Sequence, residues 1–218
     1  MLTSAREHNA LINLFHQGTK IPLKKGEVIA SREQSRVGIF FISEGIIKTY
    51  DTTKYGEENL LTIRKKGEVF GLTKTLADRG RDVSHSALEP SVVFHISRDD
   101  FVQFLKTNPT AALPLVDILI DMYRVSSERI MTLEYRTVRE RLASFLIMNI
   151  RRFGVEIPDG VELRVPLRHQ DIASSISATR ETTSRELATL ERQGIVQQGK
   201  HSVLLIKDVE KLKKYTDC

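Results

Sequence analysis

The chain has 218 residues, of which 40% are hydrophobic and 28% charged, a composition that suits one large or two small globular domains and excludes a disordered chain. A formal net charge of +5 is compatible with a nucleic-acid partner but does not require one. The sequence shows no long apolar run, no secretion leader and a single cysteine, Cys218, so we expect no membrane association, no disulfide and a cytoplasmic protein.

The N-terminal hundred residues have the pattern of a β-sandwich or β-barrel. Short apolar runs follow one another at close spacing and are separated by glycines, which is typical of small antiparallel sheets. The runs lie at 26–29, 37–42, 45–47, 60–63, 67–71 and 91–96. Residues 51–58 are polar, include Gly56 and are predicted to form a hairpin loop.

Helical patterns follow the β-rich region. Ser97 with Asp100 three residues later has the form of a capping box, which predicts a helix start. The pair Asn108 and Pro109 predicts the N-cap and first residue of a second helix, which extends to about Tyr135.

The second helix carries an apolar stripe that is wider than one packing partner requires. Its members are Leu115, Ile118, Leu119, Met122 and Val125. We interpret it as a helix that packs against its own barrel on one side and against the same helix of a second copy on the other, which predicts a homodimer. The alternative is an ordinary core helix. Pro114 is expected to kink it near its start.

The segment 138–218 predicts a separate helical domain. An amphipathic helix that ends at Phe153 is followed by a turn at 158–160. Two short helices, at 169–176 and from Arg180 to about Arg192, are joined by a tight turn at Ser177 and Ala178. A small hairpin of 196–198 and 203–206 comes next, and this order of elements describes a winged helix-turn-helix.

The second of these helices carries the chemistry of a DNA-reading surface. Leu187 and Leu190 are predicted to face the core, while the opposite face presents Arg180, Glu181, Ser184 and Arg185. Arginine can form two hydrogen bonds with guanine, and glutamate can accept from the cytosine amine. A solvated helix face with a Glu181–Arg185 ion pair is the alternative.

Residues 179–185, together with Leu187, Leu190 and the pair Gly194 and Ile195, resemble the recognition helix of the Crp/Fnr regulators. The resemblance covers nearly the whole chain, since the segments 26–27, 40–45, 67–71, 87–89 and 141–143 follow in family order. It implies an α+β protein in three parts: a jelly-roll effector barrel (a double-stranded β-helix) at 1–108, a dimerisation helix at 109–137 and a winged helix-turn-helix at 138–218. Ser177 departs from the glycine usual in the turn, which predicts some backbone strain.

The resemblance also implies the partners. Arg180, Glu181, Ser184 and Arg185 would read bases in a palindromic operator in double-stranded DNA. A second set of residues would contact phosphates: Arg168, His169, Thr179 and Lys200. RNA polymerase is the expected protein partner.

The effector pocket implied by the resemblance departs from the cyclic-nucleotide pattern. It would lie between the barrel and the long helix, near Gly71, Leu72, Arg81, Ser126 and Ser127. Leu72 replaces the glutamate that holds the ribose in cyclic-nucleotide members, and Asp82 replaces the serine that helps to hold the phosphate. An acid beside a phosphate is unfavourable, so cyclic AMP in the usual pose is not expected. The cofactor is unknown, and another small molecule or activity without an effector stays open.

Other functions lack their motifs. Haem would need an axial ligand, for which His8, His16, His85 and His95 qualify by residue type alone. The sequence has no His-x-His pair for a metal-dependent barrel enzyme, no nucleophile elbow and no phosphate-binding loop, so neither catalytic nor metal-binding residues are predicted. Two alternatives remain, namely a barrel enzyme or ligand store with an appended winged helix and a regulatory protein that uses the winged helix for protein contacts.

Overall fold

A computed structural model describes residues 5–30, 37–77, 83–199 and 203–216, the side chains of 5–8, 30 and 135 excepted. By packing, the chain divides into two units. The first consists of Met1–Gly56 and Leu61–Ser126, and the second of Glu57–Leu60 and Ser127–Cys218. The division at 126/127 falls inside a helix, whereas the predicted boundaries at 108/109 and 137/138 follow the ends of elements and stay a prediction.

Among the described residues, the N-terminal unit contains two four-stranded antiparallel sheets, except that the first three residues of β5 belong to the second unit. The strands are β1 (Thr19–Leu23), β2 (Val28–Ala30), β3 (Ile39–Glu44), β4 (Ile46–Thr52), β5 (Glu58–Lys65), β6 (Val69–Phe70), β7 (Ser84–Ala87) and β8 (Ser91–Ile96). One sheet has the order β1-β8-β3-β6 and the other β2-β7-β4-β5. Residues of both sheets share one core, which includes Phe40, Ile47 and Phe70, so the sheets face each other as the predicted barrel requires.

Strand β3 is buried on both of its faces. Phe40 and Ile42 point into the barrel, where Phe40 stacks on Phe70 with ring centroids 4.9 Å apart. Ile39 and Phe41 point to the other side, into a second cluster with residues of the surrounding helices. Because side chains alternate along a strand, a continuous apolar run is the pattern that such two-sided burial requires.

In the described residues, four helices begin in the N-terminal unit, and the last of them continues into the second unit. They are α1 (Ala5–His16), α2 (Leu72–Ala77), α3 (Arg98–Thr107) and α4 (Ala112–Tyr135). The predicted cap of α3 is confirmed, since the Ser97 hydroxyl accepts from the backbone N–H of Asp100 at 3.1 Å. The predicted start of the next helix is wrong in detail. Asn108 makes no side-chain cap, and Pro109–Ala111 form a 3-10 turn before α4 begins.

Pro114 occupies the third residue of α4, where its missing N–H removes no helical hydrogen bond. Its position therefore gives no reason for the predicted kink. The helix runs for 24 residues and ends at Tyr135 as predicted.

The C-terminal unit contains the predicted winged helix-turn-helix. Its elements are α5 (Val138–Phe153), β9 (Gly154–Ile157), β10 (Gly160–Leu163), α6 (His169–Ser175), α7 (Arg180–Arg192), β11 (Val196–Gln198), β12 (Leu204–Ile206) and α8 (Val209–Lys213). The predicted hairpin β11–β12 is confirmed, but it belongs to a four-stranded sheet of order β11-β12-β10-β9. Ile172 and Leu190 are fully buried and anchor α6 and α7 in the core of this unit.

Candidate nucleic-acid interface

The turn between α6 and α7 sets the direction of α7. Ser177 has a φ of 51°, a left-handed conformation that costs a residue with a Cβ some energy, so the strain predicted at this position is present. Thr179 caps α7 as predicted, because its hydroxyl accepts from the backbone N–H of Thr182 at 3.1 Å. Leu187 and Leu190 are buried, and this fixes the inner face of the helix.

The outer face of α7 brings the four predicted base-reading residues together. Arg180, Glu181 and Arg185 are exposed, and Ser184 is half-buried between this face and α6. Hydrogen bonds with its own backbone N–H and with the Thr179 hydroxyl lower the pKa of Glu181, so its carboxylate stays ionised. The Arg185 guanidinium donates to Thr182 Oγ1 at 3.2 Å. The face therefore offers two cations and one carboxylate acceptor to a ligand.

An ion pair between α5 and α7 was not predicted from the sequence. Arg139 Nε donates to Glu186 Oε2 at 2.6 Å, and this hydrogen bond raises the pKa of Arg139. The pair holds the middle of α7 against the start of α5. The two residues are 47 positions apart, and no local pattern connects them.

Arg168 and His169, both predicted to contact phosphates, lie at the start of α6. The Arg168 guanidinium donates to both carboxylate oxygens of the buried Asp171 at 3.0 Å and to Glu58, in the 57–60 segment of the same unit, at 2.7 Å. These hydrogen bonds, those with Asp171 above all, raise the pKa of Arg168. The ring nitrogens of His169 contact Ser184 and Gln198.

The wing is described on both of its strands but not at its tip. The Gly199 N–H donates to the carbonyl of Val203 at 2.8 Å, which closes the hairpin as predicted. Glu191 of α7 accepts from the Gln198 N–H at 3.2 Å and ties the wing to the helix. Lys200, a predicted phosphate contact, lies outside the described residues.

The residues predicted to line an effector pocket have different surroundings. A Cβ on Gly71, which has a φ of 86°, would meet the carbonyl oxygen of Gly38 at 2.5 Å, so this position requires glycine. Leu72 is buried in the helix-facing cluster of the barrel. Ser126 is exposed and Ser127 half-buried, both on α4. Arg81 and Asp82 lie outside the described residues.

The barrel also contains a buried histidine, His85, for which the sequence suggested only the role of a candidate haem ligand. His85 Nδ1 lies 2.9 Å from Thr49 Oγ1, and the ring is 4.7 Å from that of Phe70. Burial, with the nearby charges of Arg64 and Lys74, lowers the pKa of His85 to about 3. The ring is therefore neutral across the physiological range. The side chain of His8 lies outside the described part of the chain.

Two family models match successive parts of the chain. The cyclic nucleotide-binding domain matches residues 20–108, and the Crp-like helix-turn-helix domain matches residues 140–215. The chain belongs to the Crp/Fnr family of DNA-binding transcription regulators. This confirms the family, the α+β architecture and the regulatory function predicted from the sequence. Members of the Crp/Fnr family are transcription regulators rather than enzymes.

Curated Crp/Fnr regulators are similar over most of their length. The global nitrogen regulator of Nostoc sp. is 28% identical over 180 residues, which cover 82% of this chain and 81% of that protein. The cyclic AMP receptor protein of Thermus thermophilus is 26% identical over 165 residues, or 76% and 73% of the two chains.

Solved structures show the same fold. FixK2 from Bradyrhizobium japonicum matches with a TM-score of 0.78 and 20% identity over 92% of this chain and 98% of that chain. A mutant of CooA from Carboxydothermus hydrogenoformans matches with a TM-score of 0.77 and 23% identity over 94% and 90%.

Two further observations concern the described ranges. No helix in them is long and apolar enough to cross a membrane. They also contain no group of three or more His, Cys, Asp or Glu side chains arranged to hold a metal ion.

Proposed function

We propose that the chain binds a palindromic operator as a homodimer, places α7 in the major groove, and changes its affinity for DNA when the barrel binds a small effector. The observation that carries the proposal is the outer face of α7, where Arg180, Glu181 and Arg185 are exposed while Leu187 and Leu190 hold the helix from behind. An α-helix fits the major groove, and paired half-sites match the two-fold symmetry of a dimer.

The base-reading roles follow from the chemistry of this face. Arg180 and Arg185 would each form two hydrogen bonds with a guanine, and the ionised Glu181 would accept from a cytosine amine. Ser184 would read a neighbouring base. The family resemblance implies a half-site with a TGA core. Each good contact contributes about 1–3 kcal/mol of discrimination between bases.

The phosphate contacts would set the position of the protein without reading sequence. Thr179 lies at the N-terminus of α7, and helix N-termini favour phosphate groups. Arg168 is bound to two carboxylates, which compensate its charge, so its phosphate contact would compete with these ion pairs. Lys200, which follows β11 in the sequence, is the other proposed phosphate contact.

The homodimer is supported by a second apolar stripe on α4. The residues at heptad spacing along one side of the helix are Leu113, Val116, Ile120, Tyr123, Ser127 and Ile130. Five of these six are apolar and at least 38% exposed, which a helix without a partner rarely shows. Two members of the stripe predicted from the sequence, Leu115 and Ile118, do not face a second copy. They pack into the helix-facing cluster of the barrel. The proposed interface is therefore this second stripe.

The substitution Ile120→Asp tests the dimer. Ile120 is 52% exposed, so the monomer fold should tolerate it, while a charge in the middle of a two-helix seam should weaken association at least tenfold. Leu119→Asp, a neighbour of the same exposure at the flank of the stripe, is the matched control and should have a smaller effect. Sedimentation equilibrium measures both. A parent protein that is monomeric at micromolar concentration would contradict the dimer.

The effector is a small molecule other than cyclic AMP in its usual pose. The support is Leu72, which lies in the barrel cluster where cyclic-nucleotide members carry a glutamate. We further propose, from the family to which the chain belongs, that the protein acts in the cytoplasm, contacts RNA polymerase and is not an enzyme.

Two substitutions separate base reading from phosphate contact. Glu181→Ala should relax the preference at one base pair and leave the dependence of affinity on salt nearly unchanged. Lys200→Ala should weaken binding to every sequence alike and reduce the slope against salt by about one unit. Selection from randomised duplexes and titrations at several salt concentrations measure these effects. If Glu181→Ala keeps the parent's preference at every base pair, Glu181 does not read DNA.

A further inference from the structure

His169 connects three elements of the proposed DNA interface. It is the first residue of α6, and its Nδ1 lies 2.9 Å from the Ser184 hydroxyl on α7. Its Nε2 lies 3.1 Å from the side-chain amide nitrogen of Gln198 on β11. The ring therefore bridges a residue of the recognition helix and a residue of the wing.

The position of the ring proton follows from the Gln198 contact. The structure orients the Gln198 amide with its nitrogen toward His169. In this orientation the amide nitrogen donates and Nε2 is the acceptor. In the neutral ring the proton then lies on Nδ1, which donates to Ser184 Oγ. Neither ring nitrogen then keeps a free N–H, so in this arrangement His169 has no donor for the phosphate contact that the sequence predicts.

The consequence for Ser184 concerns the direction of its hydrogen bonds. A serine hydroxyl alone can donate or accept and so does not distinguish between base edges. Once Ser184 Oγ accepts from His169, its own hydrogen is directed elsewhere, and the half-buried side chain lies beside the exposed face of α7.

We propose that His169 is a positioning residue which makes Ser184 a hydrogen-bond donor, so that Ser184 selects a base that presents an acceptor. The acceptors in the major groove are thymine O4, guanine O6 and N7, and adenine N7, whereas cytosine presents only its amine, which is a donor, and is disfavoured. Because Gln198 of the wing contacts His169 Nε2, it keeps the ring proton on Nδ1 and so helps to set the hydrogen-bond direction of Ser184 on the recognition helix. The inference rests on the proposed DNA binding and adds a determinant of base choice.

The test uses two substitutions, each of which places a side-chain amide near the position of one ring nitrogen. His169→Asn retains an amide nitrogen near the place of Nδ1 and can still donate to Ser184. His169→Gln extends to the place of Nε2, can contact Gln198 and does not supply the Nδ1 donor. Both are neutral and polar, so they act as matched controls for each other.

Selection from randomised duplexes with full-length protein gives the base preferences. Ser184→Ala identifies the base pair that Ser184 reads. At that pair His169→Gln and His169→Ala should lose about fivefold of the preference for acceptor edges, the expected size of one hydrogen bond, while His169→Asn retains it. The salt slope should be the same in all variants, because no phosphate contact changes.

Two results would overturn the inference alone. The first is a parent protein that selects a sequence while His169→Asn and His169→Gln change the preference equally. The second, in protein without DNA, is a nitrogen-15 spectrum in which His169 carries its proton on Nε2. A parent protein that selects no sequence at all would overturn the proposed function and this inference with it.

Discussion

In the C-terminal unit Arg180, Glu181 and Arg185 lie exposed on one face of a single helix, whereas in the N-terminal unit Leu72, at a position expected to contact a ligand, is packed among core residues. A DNA-reading surface can be built from neighbours along one helix, so residue spacing describes it well. A ligand site in a barrel is assembled from several elements, and replacement of one polar residue by leucine can turn a ligand position into a packing position.

The largest effect that would sharpen this contrast is expected for Leu72→Glu. Leu72 is 8% exposed within an apolar cluster, so a carboxylate there loses both packing and hydration and should lower the free energy of unfolding by about 3–5 kcal/mol. Urea unfolding followed by circular dichroism measures the loss.

Leu76→Glu on the same helix is the control. Leu76 is 39% exposed and should tolerate the change within about 0.5 kcal/mol. Calorimetry with cyclic AMP should give no submicromolar binding to the parent protein. A stable Leu72→Glu variant that binds cyclic AMP would show that the position faces a ligand, and the contrast between the units would fail.

The same contrast explains what could be predicted from the sequence. The cap Thr179, the turn at Ser177 and the inward leucines of α7 act over a few residues, and all three were predicted and found. The Arg139–Glu186 pair and the burial of Leu72 depend on contacts between distant parts of the chain, which a single sequence does not reveal.

Strand β1 was not among the strands predicted from the sequence. It contains Pro22, and proline lacks the N–H that a central strand must donate, so the pattern argues against a strand. The structure places β1 at the edge of its sheet, next to β8 alone, where proline is tolerated. The sequence shows the proline but does not show that the strand lies at an edge.

An effect of intermediate size on the free energy of unfolding is expected when the pH is lowered, and it should come from His85 in the barrel. Unfolding would return the pKa of His85 from about 3 to its ordinary value of 6.5. Between these values the unfolded chain binds a proton that the folded barrel does not, so stability falls as the pH falls below about 6.5. For this group we expect a loss of about 2–3 kcal/mol between neutral pH and pH ~4.5. His85→Asn should reduce that loss.

Thr49→Val distinguishes the effect of protonating the His85 ring from the effect of losing its hydrogen bond. It removes the hydroxyl 2.9 Å from Nδ1 but leaves the titrating ring, so it should lower stability at every pH and keep the dependence on acid. Urea titrations at several pH values supply the data. If His85→Asn loses stability in acid as steeply as the parent protein, the ring is not the source.

The smallest effect concerns the two helix caps of the C-terminal unit. Thr179 caps α7 and Thr137 caps α5, each by accepting a backbone N–H with its hydroxyl. Alanine at either position should cost about 1 kcal/mol of stability. Only Thr179 lies at the proposed DNA surface, so Thr179→Ala should also weaken DNA binding several-fold, while Thr137→Ala should change stability alone.

Serine at position 179 makes the comparison specific for the hydroxyl. Thr179→Ser keeps the oxygen that accepts from Thr182 and should restore both stability and affinity, because serine is at least as good an N-cap as threonine. Fluorescence anisotropy with a fixed duplex measures affinity, and urea unfolding measures stability. Equal losses of DNA affinity in Thr179→Ala and Thr137→Ala would mean that the cap acts through the stability of the whole unit and that Thr179 has no contact with DNA.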